Sequence, residues 1–262
     1  MHQDDSNPTL LAVWAHPDDE AYLAAGLIAR TAAVGGRVVS AYATIGEAGT
    51  AEPESWPPHR LAERRRRELA EALELAGAPE HVVLGFPDGG CDEVPDHDGT
   101  AAVERLIEEV RPDRIVTFGP DGITGHPDHR AVSRWVLGAW RRTRASTGDP
   151  ELLFAAMDRT FLERNAALHD AVGLFAYGGP VATDDRDIAL AIALDEAELD
   201  RKRMVLAAHA SQTASLAAAV GEEAYRRWWA VESFRHPSPV EAAAAPITLA
   251  VHARTSRLPQ VA

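Results

Sequence analysis

The sequence has almost no cysteine, since Cys91 is the only one among 262 residues. A lone cysteine cannot form an intrachain disulfide, so folding does not require an oxidising compartment. The first nine residues, MHQDDSNPT, lack the basic and apolar pattern that marks a secretory signal peptide. These features predict a cytoplasmic protein.

Long apolar runs and an excess of positive charge are also missing. No stretch approaches the roughly 18 apolar residues that a transmembrane helix needs. The 40 acidic residues outnumber the 26 basic ones, and the net charge is -14. Nucleic acids and anionic membrane surfaces attract clustered positive charge. We therefore expect neither as a partner and favour a small-molecule substrate, while the composition leaves a homo-oligomer open.

Apolar residues make up 46% of the chain, enough for a sizeable core. In the first part of the chain, short β-type runs alternate with longer patterns of helical period. The strands are predicted at 9–15, 37–44, 81–86 and 113–119, and the helices at 20–34, 59–76, 101–110 and from the HPDH motif to about 144. This alternation predicts an α/β fold, with a Rossmann-like, mostly parallel sheet covered by helices on both faces.

The pattern after residue 150 is less regular. Residues 186–195 and 246–253 predict strands, 196–210 predicts a helix, and 222–236 has an amphipathic, helix-like pattern. No internal repeat or low-complexity linker divides the chain. We therefore expect a single domain over 1–262, with a core over about 8–235 and a C-terminal extension over about 236–262.

An acidic motif follows the first predicted strand. The apolar run 10–15 ends in His16, Pro17, Asp18, Asp19 and Glu20. Three consecutive acids beside a buried strand repel one another and are costly to desolvate, and a bound divalent cation would offset that cost.

A second motif, HPDH (126–129), follows the fourth strand. In parallel α/β sheets, ligands bind outside the carboxyl ends of the strands, where the strand order reverses. A strand order 3-2-1-4 would place both motifs at that crevice. The sequence therefore predicts a metal site at the carboxyl ends of strands 1 and 4.

The residue types of the two motifs suit catalytic zinc, which takes two histidines and one carboxylate and keeps an open position. His16 and Asp19 are three residues apart and can converge at the start of a helix, and His129 can complete the set. Fe(II), Co(II) and Mn(II) use similar ligands, so the residue types leave the metal open.

Three further side chains of the motifs suit the chemistry around such a metal. Asp18 can take a proton from water, His126 can donate one, and Asp128 can orient one of the imidazoles. Each motif by itself also has a structural explanation, because aspartate caps helices and Pro127 can start one. The other histidines lack ligand spacing, and we expect a surface or incidental position for His2, His59, His81, His97, His169, His236 and His252.

AHPDDE (15–20) together with GHPDH (125–129) closely resembles the PIG-L or LmbE-like family of metal-dependent N-deacetylases. Lesser matches follow in the order of that family over roughly residues 8–235. They are TIGEAG (44–49), RRRELAEALELAG (65–77), FPDG (86–89), TFGPDGITGHPDH (117–129) and KRMVLAAHASQ (202–212).

The resemblance implies a role for each motif residue. The zinc ligands would be His16, Asp19 and His129. Asp18 would be the general base, and His126 would be the general acid or the group that stabilises the oxyanion. Asp128 would hold His126 in position, and Arg65 would contact the substrate.

The implied reaction is hydrolysis of the N-acetyl group of an N-acetylglucosamine-type amino sugar or glycoside, which releases acetate and a free amine. An amidase that acts on a thiol conjugate or another amide is the nearest alternative. A metal-binding sugar receptor on the same fold is another, although it would need neither Asp18 nor His126. A dinucleotide-binding protein is disfavoured, because AHPDDE stands where G-x-G-x-x-G would follow strand 1.

Overall fold

The computed structural model describes residues 7–243, and within them seven strands form one sheet. The strands are β1 (Thr9–Trp14), β2 (Arg37–Tyr42), β3 (His81–Val83), β4 (Arg114–Phe118), β5 (Glu151–Ala156), β6 (Ile188–Ala193) and β7 (Val231–Arg235). The helices in the same part of the chain are α1 (Asp19–Leu23), α2 (Ala25–Ala33), α3 (Pro58–Ala76), α4 (Asp96–Val110), α5 (Gly122–Gly125), α6 (Pro127–Thr143), α7 (Arg159–Val172), α8 (Glu196–Ala208), α9 (Ala210–Val220), α10 (Glu222–Trp228) and α11 (Pro239–Ala243). The strand predicted at 246–253 lies outside the described residues, as does most of the predicted extension.

The sheet has the strand order β3-β2-β1-β4-β5-β7-β6. The first five strands of this order are parallel to one another, and β7 is antiparallel to both β5 and β6. The predicted α/β class and the mostly parallel sheet are confirmed, and the first four strands have the order 3-2-1-4 that would bring the two motifs together.

The central strand β1 shows why the apolar runs in the sequence are continuous. Residues 10–14 are each no more than 1% exposed. Successive side chains of a strand point to opposite faces, so helices cover both faces of the sheet here. In the described part of the chain, α2, α3 and α8 contact one another, and α4 packs on α6. No helix among residues 7–243 is long and apolar enough to cross a membrane.

The helix predicted over 20–34 consists of two helices, α1 and α2, which meet at Ala24. Glu232 in β7 explains the break, because its carboxylate accepts hydrogen bonds from the backbone N–H groups of Gly26 and Leu27. A carboxylate at this position satisfies free N–H groups and interacts favourably with the helix dipole. This contact spans more than 200 residues of sequence, so no local pattern could predict it.

Two strands were not predicted. β5 is a short apolar run, which periodicity cannot distinguish from a buried helix segment. β7 occupies the second half of the helix-like segment 222–236, after α10 has ended at Trp228. Its buried residues alternate, as in a half-buried strand, and its pairing with β5 and β6 outweighs the helical pattern.

Candidate metal centre and active site

The two motifs meet at one edge of the sheet, as the sequence predicts. β1 and β4 are paired in parallel, so their carboxyl ends lie side by side. His16 comes two residues after the end of β1, and His129 lies in the first turn of α6, which begins at Pro127. Proline suits the first helical position because it lacks an N–H group that would be unpaired there.

The three predicted ligands surround one point. Asp19 Oδ1 lies 3.3 Å from His129 Nε2, and Asp19 Oδ2 lies 3.7 Å from His16 Nδ1. One ligand atom from each residue lies within 4.8 Å of the others. Tetrahedral zinc with bonds of about 2.1 Å separates its ligand atoms by about 3.4 Å, so the spacing fits a divalent ion with a position left open.

In each of the two histidines, the ring nitrogen that points away from Asp19 also has a partner that suits a metal ligand. His129 Nδ1 lies 3.0 Å from the carbonyl oxygen of Gly122, and His16 Nε2 lies 3.2 Å from both Asp128 and Asp88. Histidine ligands of metals commonly donate the second ring N–H to a carbonyl or carboxylate, which fixes the tautomer. In that arrangement His129 Nε2 and His16 Nδ1 are free to bind the ion.

The buried carboxylates of the site would be stabilised in their ionised form by a bound cation. Burial raises the pKa of Asp18 to about 7 and that of Asp19 to about 6. Burial by itself would lower the pKa of His16, but hydrogen bonds with Asp128 and Asp88 outweigh it and raise that pKa to about 10. A divalent cation would favour the ionised Asp19 and the neutral His16 that metal binding requires.

Asp18 has a strained backbone, with a φ of 116° in the left-handed region. Its N–H donates to the Glu20 carboxylate at 3.0 Å, and the guanidinium of Arg65 donates to the carbonyl of Pro17. Together these bonds hold the turn that presents the Asp18 carboxylate beside Asp19. Strain of this kind concentrates at functional sites, where the surrounding structure has to maintain it.

Arg65 is buried behind Asp18, and its guanidinium lies 3.5 Å from the Asp18 carboxylate. Its side chain is only 4% exposed, and besides Pro17 it donates to the carbonyl of Gly46 at 3.0 Å. Gly46 leaves room for this contact, because a Cβ there would lie 2.3 Å or less from two guanidinium atoms. The contact of Arg65 with substrate stays a prediction.

His126 is the residue before the first turn of α6, and its Nδ1 accepts a hydrogen bond from the backbone N–H of Asp128 at 3.2 Å. Burial and the neighbouring His16 lower its pKa, so the ring is neutral at pH 7. A neutral ring whose Nδ1 accepts carries its proton on Nε2. His126 is thereby prepared to donate a hydrogen bond.

Asp128 does not hold His126 through its carboxylate, contrary to the expectation. The carboxylate accepts from the backbone N–H groups of Gly89 and Cys91, at 2.8 and 3.0 Å, and contacts His16. The reason is the direction of the side chain at the start of α6, which points toward the loop after β3. Asp128 therefore orients a metal ligand, and only its backbone fixes His126.

Some residues near the site were not predicted to take part. Asp88, in the FPDG stretch, contacts His16, and Tyr177 packs edge-on against His126 with ring centroids 5.0 Å apart. The FPDG match could have indicated Asp88, whereas no local pattern marks Tyr177. His169, expected at the surface, is 3% exposed and accepts a hydrogen bond from Trp228.

A cavity of about 200 Å³ opens beside the proposed ligands. Asp18 and the three ligand residues line one side of it. Its remaining walls are mostly apolar and are formed by Tyr22, Leu23, Ile123, Thr124, Leu174, Leu216 and Trp229. A small apolar group can therefore lie next to Asp18 and the proposed metal ligands.

This fold and site define a class of metal-dependent hydrolases, in which two histidines and one aspartate hold the ion and a second aspartate adjoins it. A model of the PIG-L family, described as GlcNAc-PI de-N-acetylase, matches residues 11–140. The chain is 35% identical over 244 residues to 1D-myo-inositol 2-acetamido-2-deoxy-alpha-D-glucopyranoside deacetylase from Nakamurella multipartita. That match covers 81% of this chain and 82% of the relative. The protein belongs to the PIG-L family, as the sequence motifs predict.

Two solved structures share the fold of this chain. The conserved protein TT1542 from Thermus thermophilus is 26% identical and superposes with a TM-score of 0.61, over 89% of this chain and 96% of that one. N,N'-diacetylchitobiose deacetylase from Pyrococcus horikoshii has the same fold, with a TM-score of 0.61 at 21% identity, over 89% of this chain and 86% of that one.

Proposed function

We propose that the protein is a metal-dependent N-deacetylase, which hydrolyses the acetamide of an N-acetylglucosamine-type glycoside to acetate and a free amine. The arrangement of His16, Asp19 and His129 around one point, with Asp18 adjoining it, is the observation that carries this proposal. The family and the Nakamurella relative, whose name specifies an N-acetylated glucosaminide of inositol, support the substrate class.

The ion would be held by His16 Nδ1, His129 Nε2 and the Asp19 carboxylate, and we propose Zn²⁺. Bound there, it would polarise the acetyl carbonyl and acidify water, so that hydroxide is available near neutral pH. Asp128 and Asp88 contact Nε2 of His16, which is the ring nitrogen that does not face the ion. The carbonyl of Gly122 contacts the corresponding nitrogen of His129, Nδ1. These partners keep the two ring planes aimed at the ion.

Asp18 acts as the general base. A carboxylate with a pKa near the working pH is efficient both in taking and in returning a proton, and burial raises the pKa of Asp18 to about 7. Its carboxylate removes a proton from the attacking water as the oxygen adds to the acetyl carbon. The same carboxyl group then delivers that proton to the departing nitrogen, so that acetate and an amine result.

His126 stabilises the negative charge that develops on the acetyl oxygen. Its Nε2–H is available because Nδ1 is occupied by the N–H of Asp128. A fixed donor of this kind acts mainly on the transition state, where the oxygen charge is greatest.

The surroundings suit an acetyl group on a sugar. The methyl group has apolar walls in Leu174, Leu216 and Trp229. Tyr177 is 62% exposed beside His126, where its ring can pack against the apolar face of a pyranose.

The composition of the chain agrees with this substrate class. The excess of acidic residues favours a small neutral substrate, and the lone cysteine favours a cytoplasmic location.

The first test is an assay of the purified protein after its metal content has been measured. The substrates would be N-acetylglucosamine and its glycosides, with the α-inositol glycoside among them and an N-acetylated thiol conjugate for comparison. We expect release of amine and acetate that a chelator abolishes and added Zn²⁺ restores. Metal-loaded protein that releases no amine from the sugars would contradict the proposal, and so would failure to bind a metal after reconstitution.

A further inference from the structure

The segment KRMVLAAHASQ (202–212) matches the family but contributes no residue to the reaction described above. It forms most of α8, the junction with α9 and the first turn of α9. His209 lies at that junction and is 1% exposed. Its Nε2 is 2.6 Å from Oε1 of Glu20, a residue 189 positions earlier in the chain.

Glu20 is the third acid of AHPDDE and is also 1% exposed. Its second oxygen, Oε2, accepts the backbone N–H of Asp18 at 3.0 Å. A single carboxylate therefore connects His209 to the backbone of the proposed general base. Neither Glu20 nor His209 lines the cavity beside the metal ligands.

The connection matters because the Asp18 backbone is in an unfavourable conformation. A φ of 116° is unfavourable for a residue other than glycine and persists only where neighbours enforce it. Arg65 and Glu20 hold the two sides of the Pro17–Asp18 peptide, Arg65 through the Pro17 carbonyl and Glu20 through the Asp18 N–H. A buried carboxylate keeps a fixed geometry only when its own lone pairs are satisfied, and His209 supplies that partner.

We propose that Glu20 and His209 form a positioning pair that sets the Asp18 backbone, and with it the direction of the Asp18 carboxylate. Through this pair the α8–α9 junction controls the rate of the reaction without touching the substrate. The inference rests on the proposed function, in which Asp18 is the base. It adds two positioning residues, one inside AHPDDE and one 189 positions later in the chain.

The test uses the variants Glu20→Gln and His209→Gln, which keep side-chain volume close to that of the wild type. We expect kcat to fall about 10- to 100-fold, because a small misplacement of a catalytic group costs rate on that scale. KM should stay within about twofold and the metal content should equal that of the wild type. The double variant should lose no more than the worse single variant, because both changes act through one contact.

Ser211→Ala is the matched control at the same junction. Ser211 Oγ donates to the Glu68 carboxylate at 2.5 Å, and this contact does not include Asp18. We expect Ser211→Ala to lower the melting temperature without changing kcat. An equal loss of kcat in this variant would show that the junction acts only through general stability, and would overturn the proposal.

Hydrogen exchange of the peptide that contains residues 16–20 gives a readout independent of turnover. We expect faster exchange in His209→Gln than in the wild type, and no change in Ser211→Ala. Active wild-type enzyme together with folded, metal-loaded variants of unchanged kcat would overturn the positioning pair alone. Wild-type protein without deacetylase activity would instead overturn the proposed function, and exchange would still report whether the pair holds the Asp18 turn. Should Glu20→Gln not fold, His209→Gln carries the same expectations.

Discussion

Two groups of buried charges adjoin α1, and they differ in how their charges are balanced. In one group, Lys202 donates to Glu232 at 2.7 Å, and both side chains are no more than 3% exposed. The other group is the metal edge, where Asp18, Asp19 and His16 lie together.

The Lys202–Glu232 pair is balanced within the chain. Lys202 also donates to the carbonyl of Tyr22, and Glu232 accepts the N–H groups of Gly26 and Leu27. Burial lowers the pKa of Lys202, and Glu232 offsets part of that effect. Every charge has a partner of opposite sign, as in a group with a structural role.

The metal edge is not balanced in this way. Burial raises the pKa of Asp18 to about 7 and that of Asp19 to about 6, although Arg65 lies 3.5 Å from the Asp18 carboxylate and a protonated His16 lies beside Asp19. Strongly shifted groups in a cleft indicate a functional site. The comparison shows that here an incomplete balance of buried charge, rather than burial itself, distinguishes the reactive site from the structural pair.

The largest effect is expected from removing a metal ligand. His129→Ala should abolish metal binding, and activity should fall by more than about 10⁴-fold, since the Lewis acid and the acidified water are lost together. Metal analysis and the amine assay measure the two effects. His97→Ala is the control, because that side chain is exposed and remote from the ligands. Stoichiometric metal in His129→Ala would contradict the ligand assignment.

The second-largest loss of activity is expected from removing the general base. Asp18→Asn should lower kcat about 10³-fold, in the range typical of a lost general base, while metal content is retained. Asparagine tolerates a positive φ better than most residues, so the turn should survive the change. Retained turnover would remove Asp18 from this role.

Removal of the oxyanion donor should have a smaller effect. We expect His126→Ala to lower kcat about 10²-fold, as is usual for one donor to an oxyanion. His126→Gln keeps an N–H donor at nearly the same place and should recover part of the loss. Equal rates for the two variants would argue against a hydrogen-bonding role.

Metal affinity should depend on pH in a defined direction. The ion competes with protons on His16, whose pKa is raised to about 10, and on Asp19, whose pKa is raised to about 6. Affinity should therefore rise with pH, by roughly tenfold per unit between about pH 6 and 10, where His16 alone has to lose a proton. Titrations against a competing chelator at several pH values measure this slope. If the metal affinity did not change with pH, metal binding would release no proton from His16, which would contradict this prediction.

The smallest effect on activity is expected at the balanced pair. Lys202→Met leaves Glu232 without its cation and should lower the free energy of unfolding by about 3–5 kcal/mol. The kcat of the folded fraction should stay within about twofold, because neither residue touches the metal edge. Urea denaturation and steady-state kinetics on the same sample separate these outcomes. A large loss of kcat in folded protein would show that the two groups are coupled.

The sequence by itself determined the features that depend on short-range pattern. Continuous apolar runs indicated buried parallel strands, and the spacing of His16, Asp19 and His129 indicated one ligand set at a shared edge. In parallel sheets, ligands bind where the strand order reverses, so an assumed order 3-2-1-4 was enough to predict that the two motifs meet. The sheet has that order, and the three ligand residues lie together.

Only the tertiary structure decided which partners those residues have. Asp128 reaches His16 across 112 positions and Glu20 reaches His209 across 189, and neither pairing leaves a periodic signal. The run of arginines at 64–67 does not indicate that Arg65 is buried behind Asp18, because the packing of α3 decides it. A hydrogen bond depends on side-chain direction and on which helices pack together, and those are fixed by the assembled core rather than by neighbours in the chain.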